Sequence, residues 1–343
     1  MDRATRDEAD HAIDPATADD TNQLAEAVEQ PLEPDALTPS SADAITAEVE
    51  AVGGNIVPLL GGRWAPRTSS RRRRRMRGRP MRILAVAFLA LMVGWALVPQ
   101  LFASGSPTAV NPVAALLGPS GQFPLGTDQY GRSIYTELVY GARPALEVGI
   151  ACTVLGGVVG SVIGIIGGYL GGWVDMLVMR LIDILLALPG LLLALIFIAA
   201  LPRTLTNEIL AISISTVPIF ARVVRGQALQ VRSRPFIDAA TVTGVRRRAV
   251  VWRHVLPNCM TPAIVLAAVY VGVVIVVAAS LNFLGLGPSE GVLDWGALIS
   301  SGQGYIDKDW WISVFPGLTV ALLVISVSVM GDWLRDVLEP ASG

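Results

Sequence analysis

A glycine-rich apolar stretch at residues 147–170 reads EVGIACTVLGGVVGSVIGIIGGYL. Its only charged residue is Glu147, at the first position. A helix needs roughly 20 apolar residues to cross about 30 Å of hydrocarbon, so the stretch predicts a membrane span. Glycines at every fourth position allow a second helix to approach closely. They predict helix packing within or between subunits, with a hinge as the alternative, and they are Gly156, Gly160, Gly164, Gly168 and Gly172.

The rest of the chain has the same membrane character. Hydrophobic residues make up 52% of its 343 residues and charged residues 16%, whereas about a quarter of the residues in a soluble domain are charged. The sequence therefore predicts an all-α membrane protein. Four further apolar windows are long enough to span the bilayer, at about 81–102, 176–201, 261–284 and 312–334.

Loop charge predicts a sixth span at about 207–226, where the apolar stretch is short and polar. Eight arginines lie between Arg222 and His254, whereas the loop 285–311 has one lysine against four acidic residues. Arginine-rich loops stay in the cytoplasm, so the first loop is inside, the second is outside, and the chain must cross between them. With both termini cytoplasmic, this gives six spans, an external loop at 103–146 and a cytoplasmic loop at 227–260.

The polar residues of this fourth span are Ser213, Ser215 and Thr216. They admit two interpretations, which the sequence leaves open. Either they line a wet translocation path, or they satisfy one another and the backbone in helix packing. In the third span, Arg180 and Asp183 are three residues apart and are expected to form an ion pair on one helix face.

The amino-terminal region divides into an acidic part and a basic part. Residues 1–62 carry 14 Asp/Glu against two Arg and contain no aromatic residue, which predicts a disordered acidic cytoplasmic tail. A regulatory arm that contacts a basic partner is the alternative. Ten arginines follow within residues 63–82. Because they adjoin the first span, we interpret 63–80 as a juxtamembrane anchor that meets anionic lipid, rather than as a nucleic-acid patch. The membrane domain is then 81–343.

The chain has too few cysteines and histidines to support several classes of function. Two cysteines, Cys152 and Cys259, lie in or beside apolar stretches, which argues against a disulfide scaffold and a Cys-rich metal site. Only two histidines, His11 and His254, are available for acid–base catalysis. No secretory signal peptide is expected, because the first long apolar run begins near Met81. An intramembrane enzyme is therefore disfavoured.

The cytoplasmic loop is predicted to contain an isolated short helix. Ser233 is expected to cap it, Pro235 to lie in its first turn, and Gly244 to stop it in the left-handed conformation. A helix of about eight residues is unstable alone in water, so it needs a surface to pack against. A second, basic amphipathic helix is predicted at Val245–Leu256 and is expected to end at Pro257.

These residues resemble a known family. Asp238-Ala239-Ala240, with Gly244 and Leu256-Pro257 at the matching spacing, is similar to the Glu-Ala-Ala signature of bacterial ABC importer permeases; Asp238 replaces the usual Glu. Other stretches resemble the second permease subunit of the dipeptide/oligopeptide/nickel importers. They are Leu125–Asp128, Gly131–Ser133, Tyr140–Arg143, Gly171–Asp175, Met179–Leu185, His254–Asn258, Ser280–Gly287, Phe315–Gly317 and Gly331–Asp336.

The resemblance implies the type I ABC importer permease fold in the bacterial inner membrane. It implies a homologous permease partner, two ATPase domains, an external solute-binding protein and a peptide substrate. ATP and magnesium would be bound by the ATPase, since this chain has no phosphate-binding P-loop, and the chain itself would have no cofactor, metal or catalytic residue. The residues implied in coupling to the ATPase are Phe236, Ile237, Asp238, Ala239, Ala240, Gly244, Leu256 and Pro257.

Two questions stay open at this point. The alternative function is a stand-alone channel or secondary transporter, which would show inverted repeats with broken helices at mid-membrane; no convincing internal repeat is found. The substrate is also open, because importers that resemble this chain carry peptides, glutathione, haem or nickel complexes.

Overall fold

The computed structural model describes residues 69–288 and 292–338. The chain divides into two units, Met1–Ser70 and Arg71–Gly343, and the helical bundle is the second of these units. The predicted acidic tail at 1–62 lies outside the described residues, as does the first part of the basic segment 63–80. Both assignments stay predictions.

The described part of the chain is helical and forms no β-strand. Five helices are long and apolar enough to span a membrane, and a bent pair makes a sixth candidate if it counts as one span. This confirms the predicted all-α membrane class. The helices are α1 (Ser69–Leu97), α2 (Pro99–Phe102), α3 (Ile134–Leu170), α4 (Gly172–Leu186), α5 (Gly190–Ala200), α6 (Leu205–Arg232), α7 (Pro235–Val242), α8 (Arg247–Val250), α9 (Leu256–Phe283), α10 (Trp295–Ser301) and α11 (Trp311–Leu338).

The contact between α3 and α6 forms the centre of the bundle. A Cβ atom added to Gly160 or to Gly164 would lie 2.5 Å from a backbone carbonyl oxygen of α6. Added to Gly156 or Gly168, it would lie 2.8 Å from a side-chain atom of the same helix. The two helices therefore pack backbone to backbone, as small residues allow in lipid.

Gly172 does not share in this contact. Helix α3 ends at Leu170, and Gly171 follows it with φ +66°. Gly172 begins α4 with φ +57°, and no atom lies within 4 Å of the position its Cβ would take. Gly172 therefore takes no part in packing within this chain, because a fourth-residue periodicity places residues on one face only while the helix is continuous.

The third predicted span, 176–201, is broken in two. Helix α4 ends at Leu186, α5 begins at Gly190, and the two axes differ by 86°. Pro189, between them, has no backbone N–H and disfavours the helical conformation at the residue before it. A hydropathy window averages over such a break, and so the sequence predicts a span at 176–201 without revealing the bend within it.

The predicted external loop at 103–146 is partly helical. Helix α3 begins at Ile134, where the Ser133 hydroxyl accepts a hydrogen bond from the Thr136 amide. The preceding segment folds around Thr127, whose hydroxyl donates to the Ala114 carbonyl at 2.6 Å and accepts from the Leu117 amide at 2.8 Å. These bonds organise a segment that lacks regular structure.

The connection between α6 and α9 is shorter than predicted. Helix α6 continues to Arg232, and α8 runs into α9 through a π-helical turn, Val251–Val255. Pro257 lies in the first turn of α9, directly after the π-helical turn, and the helix continues past it without a break. The prediction that Pro257 ends the preceding helix is therefore wrong.

Candidate coupling surface

Helix α7 is the predicted short helix, and it is closed as expected at its carboxyl end. Gly244 has φ +80°, which confirms the left-handed stop. The Val245 amide donates to the Ala240 carbonyl at 3.1 Å, a bond typical of such an ending. At the other end the prediction fails, because the Ser233 hydroxyl donates to the Gln230 carbonyl at 3.0 Å and thus belongs to the end of α6.

The inner face of α7 is anchored to this chain. Ile237 is 5% exposed, and Ala240, three residues on, packs partly buried on the same side. Burying an isoleucine side chain contributes roughly 1.5–3 kcal/mol, so this contact provides the surface that the short helix needs. The cluster around Ile237 comes from α3, α6, α8, α9 and the turn before α9: Ile165, Val224, Ala228, Val231, Val250, Val255, Cys259 and Ala263.

The outer face of α7 is largely exposed in this chain. Phe236 is 40% exposed and Val242 is 88% exposed, while Asp238 and Ala239 between them are also exposed. We call these four residues the docking face. Since Ile237 points inward, the expectation that it contacts an ATPase is corrected. Val242, which the sequence analysis did not single out, is the large apolar side chain exposed on the side of the helix opposite to Ile237.

The segment that follows α7 continues the exposed surface and supports it. Trp252, in the π-helical turn, is 70% exposed. The ring of His254, in the same turn, lies 5.9 Å from the ring of Phe236. Leu256 packs partly buried against the Ile237 cluster, and Pro257 is exposed. Leu256 therefore supports α7 from within this chain rather than lying on the docking face.

Two ion pairs tie α4 to α6, the helix that leads into α7. Nε and Nη2 of Arg225 donate to the two carboxylate oxygens of Asp175 at 2.5 and 2.6 Å, a bidentate arrangement. Asp183 pairs with Arg222. The predicted pair between Arg180 and Asp183 is therefore wrong, because sequence spacing allows a pair within one helix but cannot exclude a partner on another.

The sequence from the centre of α3 to the end of the chain matches a known family. The family profile described as "binding-protein-dependent transport system inner membrane component" matches residues 160–342, which include α7 and its anchoring cluster on α6 and α9. The chain belongs to this family. It is thus a membrane permease component, and the match does not support the alternative of a stand-alone channel or transporter.

Curated relatives agree with this assignment. The permease is 38% identical to the dipeptide transport system permease protein DppC of Alkalihalophilus pseudofirmus, over 75% of this chain and 86% of the relative. It is 34% identical to the probable D,D-dipeptide transport system permease protein DdpC of Escherichia coli, over 78% and 90%. It is also 37% identical to the glutathione transport system permease protein GsiD of Escherichia coli, over 65% and 74%.

The three hydroxyls of the fourth predicted span make hydrogen bonds to backbone carbonyls of α6. Ser213 and Thr216 are 3% and 2% exposed, and their hydroxyls donate to carbonyls of the preceding turn at 2.6 and 2.9 Å. Ser215 is partly buried and donates to the Ile212 carbonyl at 2.7 Å. Of the two interpretations that the sequence left open, the structure favours backbone satisfaction in helix packing, most clearly for Ser213 and Thr216.

The sequence analysis missed two acids: Glu208, at the other end of α6, which is 1% exposed, and Asp294, which is partly buried. Glu208 lies in the first turn of α6, Asn282 in the last turn of α9, and Asp294 caps α10. Burial raises the pKa of the Asp294 carboxyl, although hydrogen bonds from the Ala297 amide, the Asn282 side chain and the Gly296 amide oppose the rise. The available signal was an acid within a predicted span, since intramembrane ionisable residues are functional candidates.

Proposed function

We propose that this permease forms half of the translocation path of an ATP-driven peptide importer and is moved by a separate ATPase through helix α7. Two of the relatives are named as dipeptide permeases and one as a glutathione permease, and glutathione is itself a small peptide. The chain covers most of the length of the two dipeptide relatives. A peptide is therefore the substrate class that this family membership favours.

The observation that carries the coupling role is the two-sided nature of α7. Its inner face is fixed by Ile237 in a cluster that includes both long helices on either side of the loop. Its outer face presents Phe236 and Val242, two large apolar side chains that are 40% and 88% exposed. An apolar patch beside a charge, here Asp238, is suited to a protein partner. A push on this face reaches α6 and α9 directly.

The remaining organisation follows from this assignment. The permease would cross the membrane six times, with α4 and α5 together as the third crossing and both termini in the cytoplasm. Its partners would be a homologous permease, two ATPase domains and an extracytoplasmic solute-binding protein. Membrane lipid would surround it, and nucleic acid would have no part. ATP and magnesium would bind to the ATPase, and this chain would have no cofactor or catalytic residue.

Cross-linking from single cysteines tests the proposal. Both native cysteines are buried, so Val242→Cys introduces the reactive thiol. We expect a maleimide–benzophenone reagent attached to this thiol to join it, on irradiation, to the ATPase subunit in the assembled complex. The control is Val113→Cys, which is 93% exposed in the predicted external loop. It should react with an impermeant maleimide from outside and never join the ATPase. Cross-links from Val242→Cys to this chain or to lipid alone would refute the coupling role.

A further inference from the structure

An open apolar groove separates the first part of α1 from the last part of α11. Its volume is about 390 Å³, which is within the range of ligand-binding clefts. Further along α1, Met92 and Trp95 are buried in the bundle. Helix α1 therefore packs on the bundle at one end and leaves a gap beside α11 at the other. The groove is lined by Arg82, Ile83, Val86, Ala87, Met330 and Trp333.

An ion pair lies at the mouth of the groove. Nη2 of Arg82 donates to Oδ2 of Asp336 at 3.2 Å. The two side chains are 35% and 62% exposed, and an ion pair as exposed as this contributes little stability. A guanidinium has five N–H donors. Arg82 can therefore bind a second anion at the mouth of the groove while it keeps its bond to Asp336.

The groove is polar at its mouth and apolar below it. Val86 lies one helical turn beyond Arg82 in α1, and Met330 lies six residues before Asp336 in α11, about 9 Å along the helix. Trp333 lies between these levels and is 40% exposed. Tryptophan is typical of the boundary between lipid headgroups and acyl chains. The order of polar and apolar groups along the groove is therefore that of a phospholipid.

The charge of the sequence around the mouth favours an anionic lipid. Residues 71–82 carry eight arginines and no acidic residue, and residues 330–338 carry two aspartates and one arginine. Basic pockets between transmembrane helices bind anionic lipid headgroups on the cytoplasmic side of a membrane. The arginine-rich segment alone would attract any anionic lipid. The groove adds an apolar surface on which one particular lipid can place an acyl chain.

We infer that the groove between α1 and α11 binds one anionic phospholipid. Its phosphate contacts Arg82, and one acyl chain lies against Val86, Ala87 and Met330. A lipid bound in this way fills the gap and joins the first part of α1 to the bundle. The inference goes beyond the coupling role of α7. It rests on the proposed function only for the orientation, which places the groove in the cytoplasmic leaflet.

Native mass spectrometry of the purified transport complex, released from detergent micelles, tests this site. The complex is titrated with dioleoyl phosphatidylglycerol, with dioleoyl phosphatidylcholine, or with glycerol 3-phosphate. These probes supply an anionic lipid, a zwitterionic lipid with the same chains, and a headgroup phosphate without chains. We expect phosphatidylcholine to bind at least about fivefold more weakly than phosphatidylglycerol. Glycerol 3-phosphate should not displace the bound phosphatidylglycerol, because it has no chain to occupy the groove.

Two variants of this chain locate the binding. Arg82→Gln should weaken phosphatidylglycerol binding at least about tenfold, the loss expected for a charge-assisted hydrogen bond. Ala87→Phe should weaken it as strongly, because the ring occupies the groove. Ala87 is exposed, so the larger side chain leaves the core unchanged, and this variant carries the test if Arg82→Gln fails to assemble. The control is Arg180→Gln, an exposed arginine of α4 outside the groove, which should bind the lipid as the unmodified chain does.

Four results would overturn the inference. They are equal binding of the two lipids, displacement of phosphatidylglycerol by glycerol 3-phosphate, unchanged binding in either variant, and a photo-cross-link from Ala87→Cys to a partner permease. The last result would show that a protein fills the groove. If Val242→Cys still cross-links to the ATPase in that same preparation, the coupling proposal stands and only the lipid site is lost.

Discussion

Replacing Gly164 by alanine tests whether α3 and α6 pack backbone to backbone. The new Cβ would lie 2.5 Å from the Ala221 carbonyl oxygen and 2.9 Å from the Arg225 amide nitrogen. Side-chain Cβ atoms essentially never approach other heavy atoms within 3.0 Å, so one helix has to move by at least 0.5 Å. The obstacle is backbone, which cannot turn aside as a flexible side chain does.

The size of the effect follows from two opposing contributions. Overpacking a well-packed interior costs about 1–3 kcal/mol, and the rigid obstacle places Gly164→Ala at the upper end of that range. Alanine in place of glycine stabilises a helix interior by about 1 kcal/mol. The expected net loss in the free energy of unfolding is therefore about 2 kcal/mol. Gly226→Ala in α6 is the matched control, because no atom lies within 4 Å of its Cβ position. It should gain up to about 1 kcal/mol.

The assay is unfolding of the isolated chain from mixed micelles by sodium dodecyl sulfate, followed by tryptophan fluorescence. The chain has eight tryptophans, which give a strong signal. The two variants should differ in unfolding free energy by about 3 kcal/mol, with Gly164→Ala the less stable. Equal stabilities, or a more stable Gly164→Ala, would refute the close packing of α3 on α6.

Four other predictions concern the cytoplasmic side. Gly244→Val should uncouple ATP hydrolysis from uptake, because a β-branched residue at φ +80° costs about 1–2 kcal/mol; Gly244→Asn should stay largely coupled. Ile237→Ala should destabilise the chain by about 2–5 kcal/mol in the same unfolding assay, whereas Phe236→Ala should leave its stability within about 1 kcal/mol and weaken ATPase co-purification. Asp238→Lys should weaken ATPase co-purification without changing substrate binding, and unaltered co-purification would contradict its docking role. Deletion of residues 1–62 should leave membrane insertion and uptake intact, and loss of insertion would contradict the predicted role of the arginines that follow.

Some features of the coupling loop could be predicted from the sequence, and others could not. The existence of a short helix and the left-handed Gly244 were predictable, because both depend on residues within one or two turns. The sequence did not predict that Ile237 is buried while its neighbours Phe236 and Asp238 are exposed. Periodicity indicates which residues share a face, but only the position of α6 and α9 decides which face is buried. Val242 therefore became part of the docking face only when Ile237 was seen to point inward.

Local and average properties of the sequence thus determined the membrane class, the helical content, the net charge of each loop and the family. Each of these depends on hydropathy or charge summed over a short stretch, or on a contiguous motif. Only the tertiary structure shows the 86° break at Pro189, the pairing of Asp183 with Arg222 instead of Arg180, and the burial of Ile237 on the inner face of α7. These features depend on contacts between residues that are distant in sequence or that lie on different helices. Their free energies depend on which helices bury one another, and that choice belongs to the packed bundle as a whole.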